Sequence, residues 1–326
     1  MGGYRVLVVT NLWPSEVDPG FGSFVQAQME SLRPLGVEFD LLFIQGRASR
    51  WNYARAAADL RRRLKAKPFD LIHAHFGLSG WVARSQFRVP VVVSFMGDDV
   101  LGRFKRNGRI SIYGRFLQAS SFILARLVSA VIVKSREMKS KLRLASAYVI
   151  PNGVDLNLFH PMDRVAARRT LGLDLHKKFV LFPYNPNEER KRFDLIEAAV
   201  ASARESIPEL EILHVRGVPG DRMPLYMNAA DVLVLASLAE GSPNAVKEAM
   251  AANLPVVSVN VGDTADLIGE TEGCYLVPRE AQAIAARIVE VCRRGTRTRG
   301  REWITRLSME NVATHIVEVY AQVARH

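Results

Sequence analysis

Val232-Leu-Val-Leu-Ala-Ser237-Leu-Ala-Glu240-Gly241-Ser242-Pro243-Asn244-Ala-Val-Lys-Glu248-Ala-Met-Ala251 makes three structural statements in succession. Residues 232–235 are apolar on both alternations, as a parallel strand buried on both faces must be. The spacing over 243–252 is helical, with Ser242 placed to cap and Pro243 in the first turn, where a missing N–H costs nothing. Between strand and helix, the N–H groups of Gly241, Ser242 and Asn244 are expected to lack helix partners, which suits an anion. Glu240 stands just before the helix and Glu248 in its second turn. Taken singly, each carboxylate reads as an ordinary loop or helix residue. Together, behind a buried strand and around a helix start, they offer hydroxyl acceptors on either side of an anion.

The same alternation extends outward in both directions and predicts α/β construction with parallel sheets. In the first half the pattern predicts strands over 5–10, 39–44, 70–74, 91–95, 131–133 and 148–150, with helices over 23–35, 52–66, 79–86 and 111–129. The second half predicts strands over 179–182, 211–213, 232–235, 255–259 and 275–277, and helices over 193–205, 243–252, 280–293 and 309–324. Over 151–169 neither period holds, and Pro-Asn-Gly-Val-Asp reads as turn chemistry. The expected organisation is an amino-terminal Rossmann-like domain over 1–165, a second over 166–305, and a helix within 306–326 packing back on the first. Two doubly wound domains in tandem place ligands at the carboxyl ends of their strands, in a cleft between them. In the first domain, Pro19-Gly20-Phe21-Gly22-Ser23 lies where a phosphate loop would, but it lacks the G-x-G-x-x-G spacing and reads equally as a plain turn.

With 326 residues, 48% of them hydrophobic, the chain can bury two cores, which excludes a disordered or disulfide-stapled molecule. Two cysteines, Cys274 and Cys292, are too few for a bonded framework or a zinc site, and the expectation is a reducing compartment. Residues 5–10 read as a strand and not as a leader, no run is long enough to span a bilayer, and a cytoplasmic location is expected. Lysine and arginine exceed aspartate and glutamate by 44 − 33 = 11, and residues 103–143 carry eleven bases against one acid, Glu137. That segment is either a solvated cationic face or a docking surface for an anionic partner, with a membrane surface or a phosphorylated acceptor the candidates. No nucleic-acid module accompanies it.

The residues around Glu240 and Glu248 resemble the E-x7-E signature of the retaining glycosyltransferases of family 4, which have the two-domain GT-B fold. Val149-Ile-Pro-Asn-Gly-Val-Asp155 with Phe159 and Pro161 is similar to that family's interdomain sequence, and Ala230 to Ser237 to the strand before its signature. Leu254 to Ser258, Val261-Gly-Asp263, the Gly20 to Ser23 loop and Ile72-His-Ala-His75 fit as well. The resemblance implies a hexosyltransferase that uses a nucleoside-diphosphate sugar, UDP or GDP, as co-substrate, with no permanent cofactor and no metal. The acceptor would be a glycan, a lipid-linked sugar or another small molecule. It implies that Glu248 binds the donor ribose, that Glu240 contacts the sugar, and that Gly20, Gly22, Gly241, Ser242, Pro243 and Asn244 complete the donor site.

Two positions depart from the family pattern. Lys191 matches the lysine that neutralises the diphosphate, but the usual arginine five residues earlier is Pro186, so Arg190 or Arg192 must substitute. Met96 stands where relatives carry histidine, which leaves Asp98 and Asp99 as the carboxylates at that strand end. Asp98 either accepts the acceptor hydroxyl's proton or is a capping or ion-paired residue. His73 and His75 point the same way from one strand and read as hydrogen-bonded packing residues. A sugar-nucleotide transferase with Glu240, Lys191 and Asp98 at its catalytic centre is the leading expectation. An epimerase or hydrolase on the same architecture, or a degenerate binding protein using its basic face, stays open.

Overall fold

The computed structural model describes residues 3–16, 18, 20–105 and 107–324, so Pro19 of the glycine-rich loop lies outside the described residues. The chain divides into two compact units. One comprises residues 1–103, 110–153 and 309–326, and the other 154–308 with the short segment 104–109. The sequence pattern places the first boundary at 165; contacts place it at 153, and the final helix belongs to the first unit.

The first unit is built on six parallel strands: β1 (Tyr4–Thr10), β2 (Val37–Phe43), β3 (Leu71–His75), β4 (Val91–Ser94), β5 (Ala130–Val133) and β6 (Tyr148–Val149), in the order β2-β1-β3-β4-β5-β6. The second has five: β7 (Lys178–Phe182), β8 (Leu210–His214), β9 (Val232–Leu235), β10 (Val256–Val259) and β11 (Tyr275–Val277), in the order β11-β10-β9-β7-β8. Every pairing is parallel. Val6 to Val9 and Val232 to Leu235 are buried along their whole length, because helices cover both faces of each sheet. In each sheet the first strand in sequence lies inside the order, so the chain winds both ways from it and loops gather at the strands' carboxyl ends.

Helix positions follow the sequence pattern except where local chemistry overrules it. The helix expected over 23–35 stops at Glu30, and Pro34 sits in a separate short 3-10 turn, Arg33–Leu35. The stretch 151–169, read as turns, holds the helix Arg164–Leu171. Its signals are both present: the Asp163 carboxylate accepts from Ala166 N–H at 2.7 Å, and Gly172 closes it in the left-handed region. The segment Arg136–Leu142, started by Ser135, is a further helix that the strand-dominated pattern hid.

The final helix, Met309–Val323, is fixed in the first unit by Tyr320. Its ring is fully buried edge-on to Tyr4, and its hydroxyl lies 2.6 Å from His73 Nδ1. His73 Nε2 is 2.8 Å from the Ser94 hydroxyl, so both ring nitrogens are satisfied. Burial, then the nearby Lys134, pushes the imidazole down to about 3, which keeps it neutral. Tyr320→Phe strands one buried nitrogen and is expected to cost about 1–2 kcal/mol in urea unfolding at pH 7. An unchanged midpoint would remove Tyr320 as the anchor.

Candidate functional site

In the second unit the loops after β7, β9 and β10, three adjacent strands, converge. The loop after β7 ends in the 3-10 turn Glu189–Lys191, whose last side chain is buried. The loop after β9 carries Glu240, 8% exposed. Although 49 residues apart in sequence, they meet: Lys191 Nζ donates to Glu240 Oε1 at 2.7 Å, and Arg190 lies 3.0 Å from Glu240 Oε2. Two main-chain contacts hold the loops together, since Leu238 N–H donates to Arg190 O at 2.8 Å and Arg190 donates to Ala239 O at 2.7 Å. The Lys191 ammonium also sits 3.6 Å from the Tyr184 ring centroid.

Burial alone raises the Glu240 carboxyl, but Arg190 and Lys191 outweigh it and hold the group down at about 2. Lys191 is lowered by its own burial, against the pull of Glu240. Of the two arginines the sequence left open, Arg190 is the one on Glu240. Arg192 forks onto the carboxylate of Asp194, with Nε 3.0 Å from Oδ1.

The helix after Glu240 starts one residue later than its sequence suggests. It runs Asn244–Ala251 with Pro243 as the N-cap and no side chain capping it. The Ser242 hydroxyl, expected as the cap, instead accepts from Lys247 Nζ at 3.0 Å. Lys247 is wholly buried, and an ammonium so placed requires oxygen acceptors more than the helix end requires a cap. Its burial pushes it down to about 8, opposed by Asp263 and Glu248. Asp263, nearly buried and raised to about 6 by that burial, joins this group from the loop after β10. Gly262, in the left-handed region at φ +59°, lets that loop approach. A Cβ there would lie 2.7 Å from Glu240 O and 2.9 Å from Gly241 O. Sixteen residues apart on a helix and a loop, Lys247 and Asp263 give no sign of their meeting in the sequence spacing.

Glu248, one residue on, is partly buried. Burial pushes its carboxyl up to about 7, with Lys247 opposing. The two glutamates therefore differ: Glu240 is ionised and neutralised by two cations, whereas Glu248 is held near its protonated form.

The remaining predicted residues lie in the first unit. Gly22 is left-handed at φ +74° and leads into the helix Ser23–Glu30; a Cβ would come within 2.3 Å of the Leu12 and Trp13 backbone, so only glycine fits. Gly20 O accepts from the Ser23 hydroxyl at 3.1 Å. Asp98 begins the short helix Asp98–Leu101 and is partly buried. Its neighbour Asp99 is fully buried and accepts from the N–H groups of Met96, Gly97 and Gly77 at 2.9–3.1 Å. Even with these bonds, burial pushes Asp99 up to about 6. His75 corrects an expectation. It packs 4.2 Å from His73, centroid to centroid, and both its ring nitrogens lack hydrogen bonds, so apolar packing and not hydrogen bonding holds it. Among the described residues no group of three His, Cys, Asp or Glu side chains could hold a metal ion. Nor is any helix long and apolar enough to cross a membrane.

Comparison with known proteins fits this arrangement. Residues 2–158 match the model of Glycosyltransferase Family 4, and residues 184–294 that of Glycosyl transferases group 1. A protein of Bacillus subtilis strain 168, assigned as a teichuronic acid biosynthesis glycosyltransferase, is 25% identical over 87% of this chain and 88% of its own. A D-inositol 3-phosphate glycosyltransferase of Geodermatophilus obscurus is 28% identical over 83% of this chain and 64% of its own. Among solved structures, sucrose-phosphate synthase of Thermosynechococcus elongatus superposes with a TM-score of 0.80 at 20% identity, covering 98% of both chains. Anabaena HepE in complex with UDP-glucose gives 0.69 at 19% identity, covering 98% of this chain and 100% of that one. With one family model on each half and the same two parallel-sheet domains, the chain belongs to the family 4 glycosyltransferases and has their GT-B fold.

Proposed function

We propose that this glycosyltransferase moves a hexose from UDP-sugar to an acceptor hydroxyl with retention of anomeric configuration. The observation that carries the reading is the buried Lys191 with the part-buried Arg190, 2.7 and 3.0 Å from Glu240 at the carboxyl ends of adjacent strands. A diphosphate brings negative charge to two cations already fixed in place, so its departure costs little reorganisation. In this reading Arg190 fills the role of the arginine absent at Pro186. Glu240 contacts the sugar, and Glu248, ionised on binding, accepts from the ribose hydroxyls. Gly241, Ser242, Pro243 and Asn244 line the approach to the diphosphate.

The bond from the sugar's anomeric carbon to the diphosphate oxygen breaks while the acceptor oxygen bonds the same face. The acceptor's proton passes to the departing diphosphate. Asp98 orients the acceptor hydroxyl, and the protein otherwise positions the substrates and excludes water. Uridine is favoured because HepE was solved with UDP-glucose. An anionic acceptor is favoured because the relatives are named for teichuronic acid and D-inositol 3-phosphate, and because of this chain's own excess of bases.

Thermal unfolding with a panel of nucleoside diphosphates tests the donor. At a hundred times its dissociation constant, UDP is expected to add about 2.7 kcal/mol, ahead of GDP and ADP. Proton NMR of the first-formed product from UDP-glucose is expected to show the donor's own α configuration. A shift with no nucleotide would end the donor reading, and a β product would end retention.

A further inference from the structure

The helix Ile112–Leu124 is apolar on the face where a surface helix is normally polar. Its inner face is accounted for by Gly114, Leu117, Ser121 and Leu124, all buried against the first unit. Its outer face nevertheless presents Ile112 at 88% exposure, Phe116 at 58% and Ile123 at 52%. At about 100° per residue these three fall within roughly 40° of one another, so they form one stripe along the helix. Tyr113 borders it on one side, and Arg115, Phe122 and Arg126 on the other, all exposed. The helix therefore has apolar residues enough for two faces, and one is outside.

The stripe continues past the helix end. Leu127 is exposed, and Arg84 donates to its carbonyl at 2.6 Å while lying 3.9 Å from the ring centroid of Phe87, itself 83% exposed. Arg126 is likewise 3.5 Å from the Phe122 ring centroid. These are rings and aliphatic tips interleaved with guanidinium groups, and no aspartate or glutamate occurs between Asp99 and Glu137. Exposed apolar surface of this kind marks an interaction site. Its charge selects among occupants: a second copy would set arginine against arginine, whereas anionic headgroups neutralise them while the apolar tips enter the acyl boundary.

We infer that the stripe Ile112–Phe116–Ile123, with Arg115 and Arg126 beside it, docks the protein on an anionic lipid surface. This stands on the first unit's own side chains and does not depend on the donor reading.

Flotation tests it, with vesicles of equal parts phosphatidylglycerol and phosphatidylcholine against vesicles of phosphatidylcholine alone. The wild-type chain is expected to float with the first and not the second, and to be released by salt. Ile112→Glu/Phe116→Glu is expected to lower the floated fraction at least about tenfold, with unfolding temperature and the UDP-induced shift unchanged because neither side chain is part of a core. Ile123→Glu alone, at the far end of the stripe, should lower it in smaller measure and keeps the test decisive if the double variant misfolds. Wild-type protein left at the bottom of the gradient would overturn the inference, as would variants that float like the parent. So would a wild-type dimer, by light scattering, that the double variant splits, since that outcome assigns the stripe to a second copy.

Discussion

Glu240→Gln is expected to lose about 3 kcal/mol of stability at pH 7 and at least about a hundredfold in turnover while still binding UDP. The stability loss follows from what surrounds the carboxylate. Lys191 is buried, Arg190 mostly so, and an amide leaves Lys191 without its countercharge and Arg190 with Glu188 alone. A shift from 4.5 to about 2 corresponds to an order of 3 kcal/mol. Because the folded-state value is depressed, this contribution is present above pH 4.5 and is lost as pH falls towards 2, so parent and variant should converge in acid. UDP changes the comparison. Its diphosphate supplies the missing countercharge, so the nucleotide-induced shift in unfolding temperature is expected to be at least as large in the variant as in the parent. Thermal unfolding with and without UDP, beside steady-state transfer rates, separates the two effects. A variant as stable as the parent would show that the ion pairs are solvated and weak. A variant that keeps its turnover would remove Glu240 from the chemistry.

The parts of this site legible in the sequence are those where local pattern and chemistry coincide. Val232 to Leu235 is apolar throughout because its strand is covered on both sides, and that made Glu240 stand out as the residue leaving a buried strand. The strand content of both sheets was readable for the same reason. What was not legible depends on three loops meeting. Nothing near Lys191 in sequence says that Arg190, not Arg192, reaches Glu240; that follows from the 3-10 turn before the helix and from Asp194 engaging Arg192. Lys247 is a helical lysine by sequence and a wholly buried one in the fold, and its demand for oxygen draws Ser242 away from the cap position. The segment around Ile112 stood out by its charge as a docking candidate, and only the placing of its apolar residues was hidden. Hydrophobic periodicity reports that a helix has an apolar face, but not that it has a second one left outside.

Glu248→Gln should stabilise the nucleotide-free protein above pH 7 and sharply reduce its response to UDP. Burial raises the Glu248 carboxyl from 4.5 to about 7, so the folded chain holds a proton that the unfolded chain releases. For a group raised in this way the stability is full below pH 4.5, declines as pH rises through about 7, and above that stays at its lower value. The shift sets a ceiling of about 3 kcal/mol, and because the residue keeps partial solvent contact about 1–2 kcal/mol is the reasonable expectation. Glutamine cannot ionise, so the variant should match the parent at pH 4 and exceed it at pH 8. In the donor reading the ionised carboxylate accepts from the ribose hydroxyls, and an amide presents one carbonyl oxygen where two charged oxygens were. Each charge-assisted bond lost is worth about 1.5–3 kcal/mol, or roughly ten- to a hundredfold in affinity. The parent's affinity for UDP should weaken below pH 7, because binding must then also remove a proton. Unfolding curves at pH 4 and pH 8, each with and without UDP, read all of this in one experiment. A variant stabilised in alkali that still responds fully to UDP would keep the burial argument and move the ribose elsewhere. A variant with no gain at pH 8 would mean that Glu248 is better solvated than its surroundings imply.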